Sequence, residues 1–135
     1  MDGPPLLKPA LYEEAEDGTV WLKGGVCSCG HVFFPLQAFG CEACGGHGEA
    51  LSPRRLEAVG QVISSATVHL HAGRGREAPF NVCVVKLNGG PVIRSLTMEG
   101  TALAQPGQTV RAVLAVADGK DPGAKVRDLR FAVTA

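Results

Sequence analysis

Four of the five cysteines stand in two close pairs within a short stretch of the chain: Cys27, Cys29, Cys41 and Cys44. Zinc prefers four thiolate or imidazole ligands in a tetrahedron, and two tight turns that each carry a cysteine pair can supply them. A glycine follows each pair directly, and its positive φ lets backbone amides point at the sulfur atoms. The spacing therefore predicts a zinc ribbon with a closed, structural zinc site that leaves no position open for catalysis.

The first pair, Cys27-Ser28-Cys29, is one residue shorter than the usual Cys-x-x-Cys knuckle. Both sulfurs could still reach one ion, and His31 or His47 could replace a ligand. Two alternatives stay open, namely a ribbon of reduced cysteines without metal and a set of disulfides. An odd number of cysteines and no signal-peptide pattern favour a metal site and a cytoplasmic location. We expect Cys83, which lies in a valine-rich run, to be a core residue.

A second group of side chains that could take part in chemistry is the alternating set Thr67, His69 and His71, which would share one face of a strand. Two histidines at this spacing could bind a metal or act on a substrate. No acid or nucleophile stands at a spacing that would complete a catalytic set. We therefore interpret the histidines as surface or interface residues and the chain as non-catalytic by itself.

The second half of the chain alternates apolar, β-branched runs with turn signals such as Asn88-Gly89-Gly90-Pro91. This pattern predicts five strands, at residues 59–71, 78–87, 92–98, 109–117 and 126–133. Five strands separated by short turns fit a mainly β architecture, in which an OB-fold barrel follows the zinc ribbon.

The first half of the chain has weaker structural signals. An acidic run at residues 12–18 predicts a short helix that ends at Gly18, and residues 19–22 look like a short strand. Residues 50–57 contain Pro53 and are interpreted as a turn. The predicted domains are an N-terminal segment, the zinc ribbon and the OB-fold domain, at residues 1–23, 24–50 and 57–135.

Composition limits the functions that this chain can have. The 135 residues carry 13 basic and 13 acidic side chains, and aromatic residues make up 5% of the sequence. A nucleic-acid-binding ribbon and OB module is the alternative function, but it usually needs a basic excess and aromatic stacking platforms. No apolar run approaches the roughly 20 residues of a membrane span. These counts disfavour nucleic acid and membrane partners.

Two parts of the sequence resemble the rubredoxin-like zinc ribbon of the thiolase-associated zinc-ribbon/OB-fold proteins: GVCSCGHVFFP at residues 25–35 and CEACG at residues 41–45. The β module is also similar to that family, in its Pro-aromatic strand opening and in two of its turns. These segments read APFNV at 78–82, LNGGPV at 87–92 and QPGQTV at 105–110. The likeness covers roughly residues 18–133, and the ribbon followed at once by this β module is its most specific feature.

The resemblance implies a partner protein. Members of the family bind thiolase-fold enzymes that act on acyl-CoA, namely thiolases, acyltransferases and aldolases. The small protein helps to hold the complex together and to shape the acyl-CoA channel, while the catalytic residues belong to the enzyme. This chain would therefore be a non-catalytic accessory subunit with a structural zinc ion. Because thiolase-fold enzymes are dimers, a two-plus-two assembly is expected.

Several residues are candidates for contact with substrate or partner. Arg74 and Arg76, in the run Gly73-Arg74-Gly75-Arg76, could bind the phosphates of CoA by bidentate hydrogen bonds, or could belong to a solvated turn. The candidates for the partner interface are Trp21, Phe33, Phe34, His69 and His71.

Overall fold

The computed structural model of the chain describes residues 4–69, 79–98, 101–119 and 123–134. Two antiparallel sheets make up these ranges. The N-terminal sheet has four strands: β1 (Tyr12–Glu14), β2 (Val20–Cys27), β3 (Val32–Phe33) and β4 (Leu51–Glu57). The second sheet has five: β5 (Val59–Val68), β6 (Phe80–Leu87), β7 (Val92–Leu96), β8 (Thr109–Asp118) and β9 (Lys125–Val133).

Strand β2 is the centre of the N-terminal sheet. One of its edges pairs first with β1 and further on with β3, and its other edge pairs along nearly its whole length with β4. The cysteine-bearing loops leave this sheet at one end, because β2 ends at Cys27 and β4 begins at Leu51. A single 3-10 turn at Gly48–Ala50 leads into β4.

The five-stranded sheet has the order β7-β6-β5-β8-β9 and curls into a barrel. Its two outer strands meet, since Thr97 and Phe131 form a parallel bridge and the Met98 amide donates to the Phe131 carbonyl at 3.0 Å. A β-bulge between Val62 and Ser64 bends β5, as barrel closure requires. The mainly β fold predicted from the sequence, a cysteine ribbon followed by an OB-like barrel, is therefore confirmed.

The five strands predicted from alternation correspond to β5–β9. Their inward positions fill one core with residues such as Val85, Val110 and Phe131, each of which is fully buried. Cys83 is also fully buried there, as predicted. The same core includes Tyr12, Leu22 and Leu56 of the N-terminal sheet. Within the described ranges, no long apolar helix of the kind that crosses a bilayer is present.

Two predictions for the first half of the chain were wrong. No helix forms at residues 12–18. Residues 12–14 are strand β1 instead, because Tyr12 is buried against the barrel while Glu13 and Glu14 pair with Arg55 and Arg127. Tertiary contacts here outweigh a local preference for helix. The turn expected at residues 50–57 is largely strand β4, in which Pro53 is tolerated because it lies on an exposed edge strand.

Gly60 marks the closest approach between β5 and β6. A Cβ atom there would lie 2.2 Å from the Lys86 carbonyl oxygen, and backbone cannot move away cheaply. We expect Gly60→Ala to lower the free energy of unfolding by about 1–3 kcal/mol. Gly89→Ala is the matched control, since its Cβ would meet only a Leu56 methyl group at 3.7 Å. Urea unfolding of both variants tests this, and equal stabilities would contradict it.

Candidate metal centre

The two cysteine pairs lie on two tight turns that face each other beyond the end of β2. In the first turn the Gly30 amide donates to the Cys27 carbonyl at 2.8 Å, and in the second the Gly45 amide donates to the Cys41 carbonyl at 2.8 Å. Gly30 and Gly45 have φ angles of +98° and +81°, a region that favours glycine. The glycine after each pair therefore has the role predicted from the sequence.

The turns bring all four thiol groups together. The Sγ atoms of Cys27, Cys29, Cys41 and Cys44 lie within 4.8 Å of one another. Cys27 and Cys44 are separated by 3.5 Å between sulfurs, and Cys29 and Cys41 by 3.7 Å. Tetrahedral ligation with zinc–sulfur bonds of about 2.3 Å requires sulfur separations of about 3.8 Å. The four cysteines can therefore hold one metal ion, and the one-residue spacing of the first pair does not exclude either of its sulfurs.

Backbone amides stabilise negative charge on the sulfurs. The Ala43 amide donates to Cys41 Sγ at 3.4 Å and the Gly46 amide donates to Cys44 Sγ at 3.3 Å. A hydrogen bond from the Cys29 amide is the main cause that lowers the pKa of Cys27 to about 7. Metal ligands usually accept hydrogen bonds from neighbouring groups, and these backbone amides provide such bonds to the cysteine sulfurs.

The sulfurs also compete for charge when no cation lies between them. The Gly46 amide lowers the pKa of Cys44, but hydrogen bonds with Cys27, Cys29 and Cys41 together with burial raise it to about 12. A negative charge on one sulfur therefore favours the protonated form of its neighbour. A divalent cation reverses this preference, since a coordinated thiol is deprotonated. The cluster is therefore electrostatically suited to a cation.

Among the described residues, the group of side chains that could hold a metal consists of the four cysteines, and neither His31 nor His47 belongs to it. His31 Nε2 lies 2.8 Å from Glu42 Oε1, in an exposed pair that connects the two cysteine turns. His47 precedes the 3-10 turn, where its carbonyl accepts a hydrogen bond from the Ala50 amide at 3.2 Å. All five cysteines, including Cys83, are free of disulfides.

A small apolar cluster supports the ribbon beside the metal ligands. Phe33 and Leu51 pack with Cys27 and Cys41, and each of these side chains is at most 9% exposed. A Cβ on Gly25 would lie 2.4 Å from Phe33 Cζ, so this ring lies directly on the β2 backbone. The ribbon core is too small to be stable by itself, and a bound metal would add the missing stabilisation.

The predicted interface residues occupy different environments. Trp21 is half-buried on β2, with the Arg55 guanidinium 4.4 Å from its ring centroid. Phe33 is 7% exposed in the ribbon core, and Phe34 packs at the junction with the barrel core. His69 is exposed after β5. The remaining predicted contacts lie outside the described residues: His71, Arg74 and Arg76.

Sequence reasoning missed Phe39, whose 93% exposure is the largest among the exposed apolar side chains of the described residues. The Gln37 side chain fixes its loop, because its Oε1 accepts the Phe39 amide at 2.6 Å and its Nε2 donates to the Gly40 carbonyl at 2.8 Å. Leu36 on the same loop is 42% exposed. The one local signal was an aromatic residue in a ribbon loop with little core to cover it.

The fold and the site together define a ribbon with four cysteines that can hold a metal ion, joined to an OB-like barrel. No family model matches the sequence, and no curated protein matches it. Among solved structures, a chain of the Ltp2-ChsH2(DUF35) aldolase is similar in fold, with a TM-score of 0.58 and 24% sequence identity. The alignment covers 82% of this chain and 84% of that chain. The fold that the resemblance implies, a ribbon followed by a barrel, is therefore confirmed.

Proposed function

We propose that this protein is a non-catalytic accessory subunit that binds a thiolase-fold enzyme and helps to form its acyl-CoA site. The observation that carries the proposal is the shared ribbon-plus-barrel fold over 82% of the chain with a component of the Ltp2-ChsH2(DUF35) aldolase. The metal in the ribbon is zinc, since four thiolates at these separations are its usual structural ligands. The proposal includes the domain boundaries predicted from the sequence, with the ribbon at residues 24–50 and the OB-fold domain at residues 57–135.

A non-catalytic role agrees with the chemistry of the metal centre. Its four ligands all come from the protein and would complete a tetrahedron, which leaves no position for water or substrate. The buried acid in the described residues, Asp128, accepts hydrogen bonds from Tyr12 and Arg130 and is committed to structure. The chemistry would therefore belong to the partner enzyme.

The ribbon loop offers a docking surface for that partner. Gln37 Oε1 accepts the backbone amides of Phe39 and Gly40, the Phe39 ring is exposed to solvent, and Leu36 lies on the same loop. Behind Leu36 is a groove of about 250 Å³ that Pro53 and Arg54 also line. An exposed aromatic side chain with an apolar neighbour, on a loop whose backbone is hydrogen-bonded, is typical of an interface hot spot.

Affinity capture of the tagged protein from its source cell, read by mass spectrometry, is the direct test. Recovery of a thiolase-fold enzyme supports the proposal, and the reconstituted pair is then assayed with acyl-CoA substrates. Failure to co-elute with any thiolase-fold protein of that cell contradicts it. Tight binding of short single-stranded oligonucleotides at moderate salt, measured by fluorescence anisotropy, would favour the nucleic-acid alternative.

Phe39→Ser tests the docking surface within that complex. We expect the affinity for the enzyme to fall about 30-fold or more, because truncation of an aromatic hot spot costs about 2 kcal/mol or more. Val92→Ser is the matched control, since Val92 is 56% exposed on strand β7 of the barrel. Calorimetric titration of both variants gives the comparison. Equal losses, or none, would place the interface elsewhere.

A further inference from the structure

A cavity of about 280 Å³ lies where the N-terminal sheet meets the barrel. Tyr12 and Leu22 line it from the N-terminal sheet, and Ile93 and Leu96 of β7 line it from the barrel. The volume is just below the range of about 300–1,000 Å³ in which drug-sized ligands bind. Cavities at the junction of two structural units are common ligand sites, so this one is a candidate for a small molecule.

The lining of the cavity is largely apolar. Leu22, Phe34, Ile93 and Leu96 contribute to it, and the last three remain only half-buried. Apolar side chains left partly open to a cavity gain free energy when a ligand removes them from water. The lining therefore favours a ligand with a short apolar portion.

Two cations line the same cavity without a charged partner. Among the described residues, the side chains of Lys8 and Arg94 make no ion pair or hydrogen bond, and both are exposed. The acid in the wall, Asp128, is balanced by Arg130 at 2.6 Å and accepts the Tyr12 hydroxyl at 2.7 Å. The cavity thus carries an excess of positive charge, which favours an anion.

We infer that this cavity is a binding site for a small carboxylate with a short apolar tail. The tail would lie against Leu22, Phe34 and Leu96. The carboxylate would accept hydrogen bonds from Arg94 and Lys8. The planar guanidinium of Arg94 suits a planar anion. The site lies in this chain alone, so the inference does not depend on a partner enzyme.

Titration of the isotope-labelled protein with hexanoate, followed by amide NMR shifts, tests the site. We expect saturable shifts at residues 93–96 with a dissociation constant of about 1 mM or below, a modest affinity for a ligand of this size. Hexanol and hexylamine carry the same tail without the negative charge and should bind at least about fivefold more weakly. Equal binding of hexanol, shifts confined to other surfaces, or no saturation would overturn the inference.

Arg94→Gln should weaken hexanoate binding about fivefold or more, because a charge-assisted hydrogen bond is lost. Arg111→Gln is the matched control, since Arg111 is an exposed arginine on β8 that lines a different cavity. Leu96→Trp should block binding by filling the cavity, provided that its amide spectrum remains native. Unchanged affinity in Arg94→Gln and in a folded Leu96→Trp would also overturn the inference.

Discussion

Cys44→Ser is expected to lose the bound metal and to unfold the ribbon while the barrel stays folded. Cys44 supplies one of four sulfurs that lie within 4.8 Å of one another, and its Sγ is 3.5 Å from that of Cys27. Structural zinc contributes about 10–16 kcal/mol of apparent binding free energy in small domains. The ribbon core is small, and Phe33 and Leu51 cannot replace that contribution. Zinc content should fall from about one ion per chain to about a tenth or less.

Cys83→Ala separates metal loss from general destabilisation. Cys83 is fully buried in the barrel core and is not part of the ligand group. This variant should keep its zinc while its free energy of unfolding falls by about 1–2 kcal/mol. Metal analysis by mass spectrometry and amide NMR spectra of the ribbon provide the two measurements. A Cys44→Ser protein that retains one equivalent of zinc and a native ribbon spectrum would show that Cys44 is not a metal ligand.

The second large effect is expected at Asp128, which connects the two sheets. Its Oδ1 accepts hydrogen bonds from the Tyr12 hydroxyl at 2.7 Å and the Leu129 amide at 2.9 Å. Its Oδ2 accepts one from Arg130 at 2.6 Å, and Arg130 is only 8% exposed. Asp128→Ala leaves this buried guanidinium without its counter-charge, which costs about 3–5 kcal/mol.

Asp118→Ala is the matched control because Asp118 pairs with Lys125 at the exposed end of β8 and β9. A surface pair of this kind contributes at most about 1 kcal/mol. Urea unfolding at neutral pH compares the two variants. If Asp128→Ala is no less stable than Asp118→Ala, the network does not hold the N-terminal sheet to the barrel.

The same network predicts a pH dependence of stability with two limits. Burial raises the pKa of Asp128, but hydrogen bonds from Tyr12 and Arg130 and the Arg130 charge outweigh it, so the pKa is lowered below 3.8. The contribution of Asp128 to the free energy of unfolding is present above pH 3.8 and is lost as the pH falls further. Burial, together with Asp128, raises the pKa of Tyr12 from 10.0 to about 12. That contribution is complete below pH 10 and is lost as the pH rises towards 12.

Tyr12→Phe should abolish the loss of stability between pH 10 and about 12. It should keep most of the loss below pH 3.8, because Asp128 keeps its hydrogen bonds from Leu129 and Arg130. Unfolding free energies measured across this pH range test the assignment. An alkaline decline of equal size in Tyr12→Phe and in the unmodified protein would show that another group causes it.

The strands of the barrel and the four-cysteine cluster could be predicted from local sequence. Alternation of apolar residues defines a strand whatever surrounds it, and the pattern located β5–β9. Closely spaced cysteines followed by Gly30 and Gly45 define the metal turns in the same way, since both the spacing and the positive φ are local properties.

Only the tertiary structure determined how the first half of the chain is placed. Tyr12 lies in a strand because its hydroxyl reaches Asp128, 116 residues further along the chain, and no local pattern carries that contact. Pro53 lies in strand β4 because β2 offers a partner for an edge strand. Likewise, Phe33 is buried because its ring lies on Gly25 of β2, whereas Phe39 is left 93% exposed. Sequence determined the barrel strands and the cysteine cluster, while long-range packing decided how the N-terminal strands are placed and which surfaces remain open to partners.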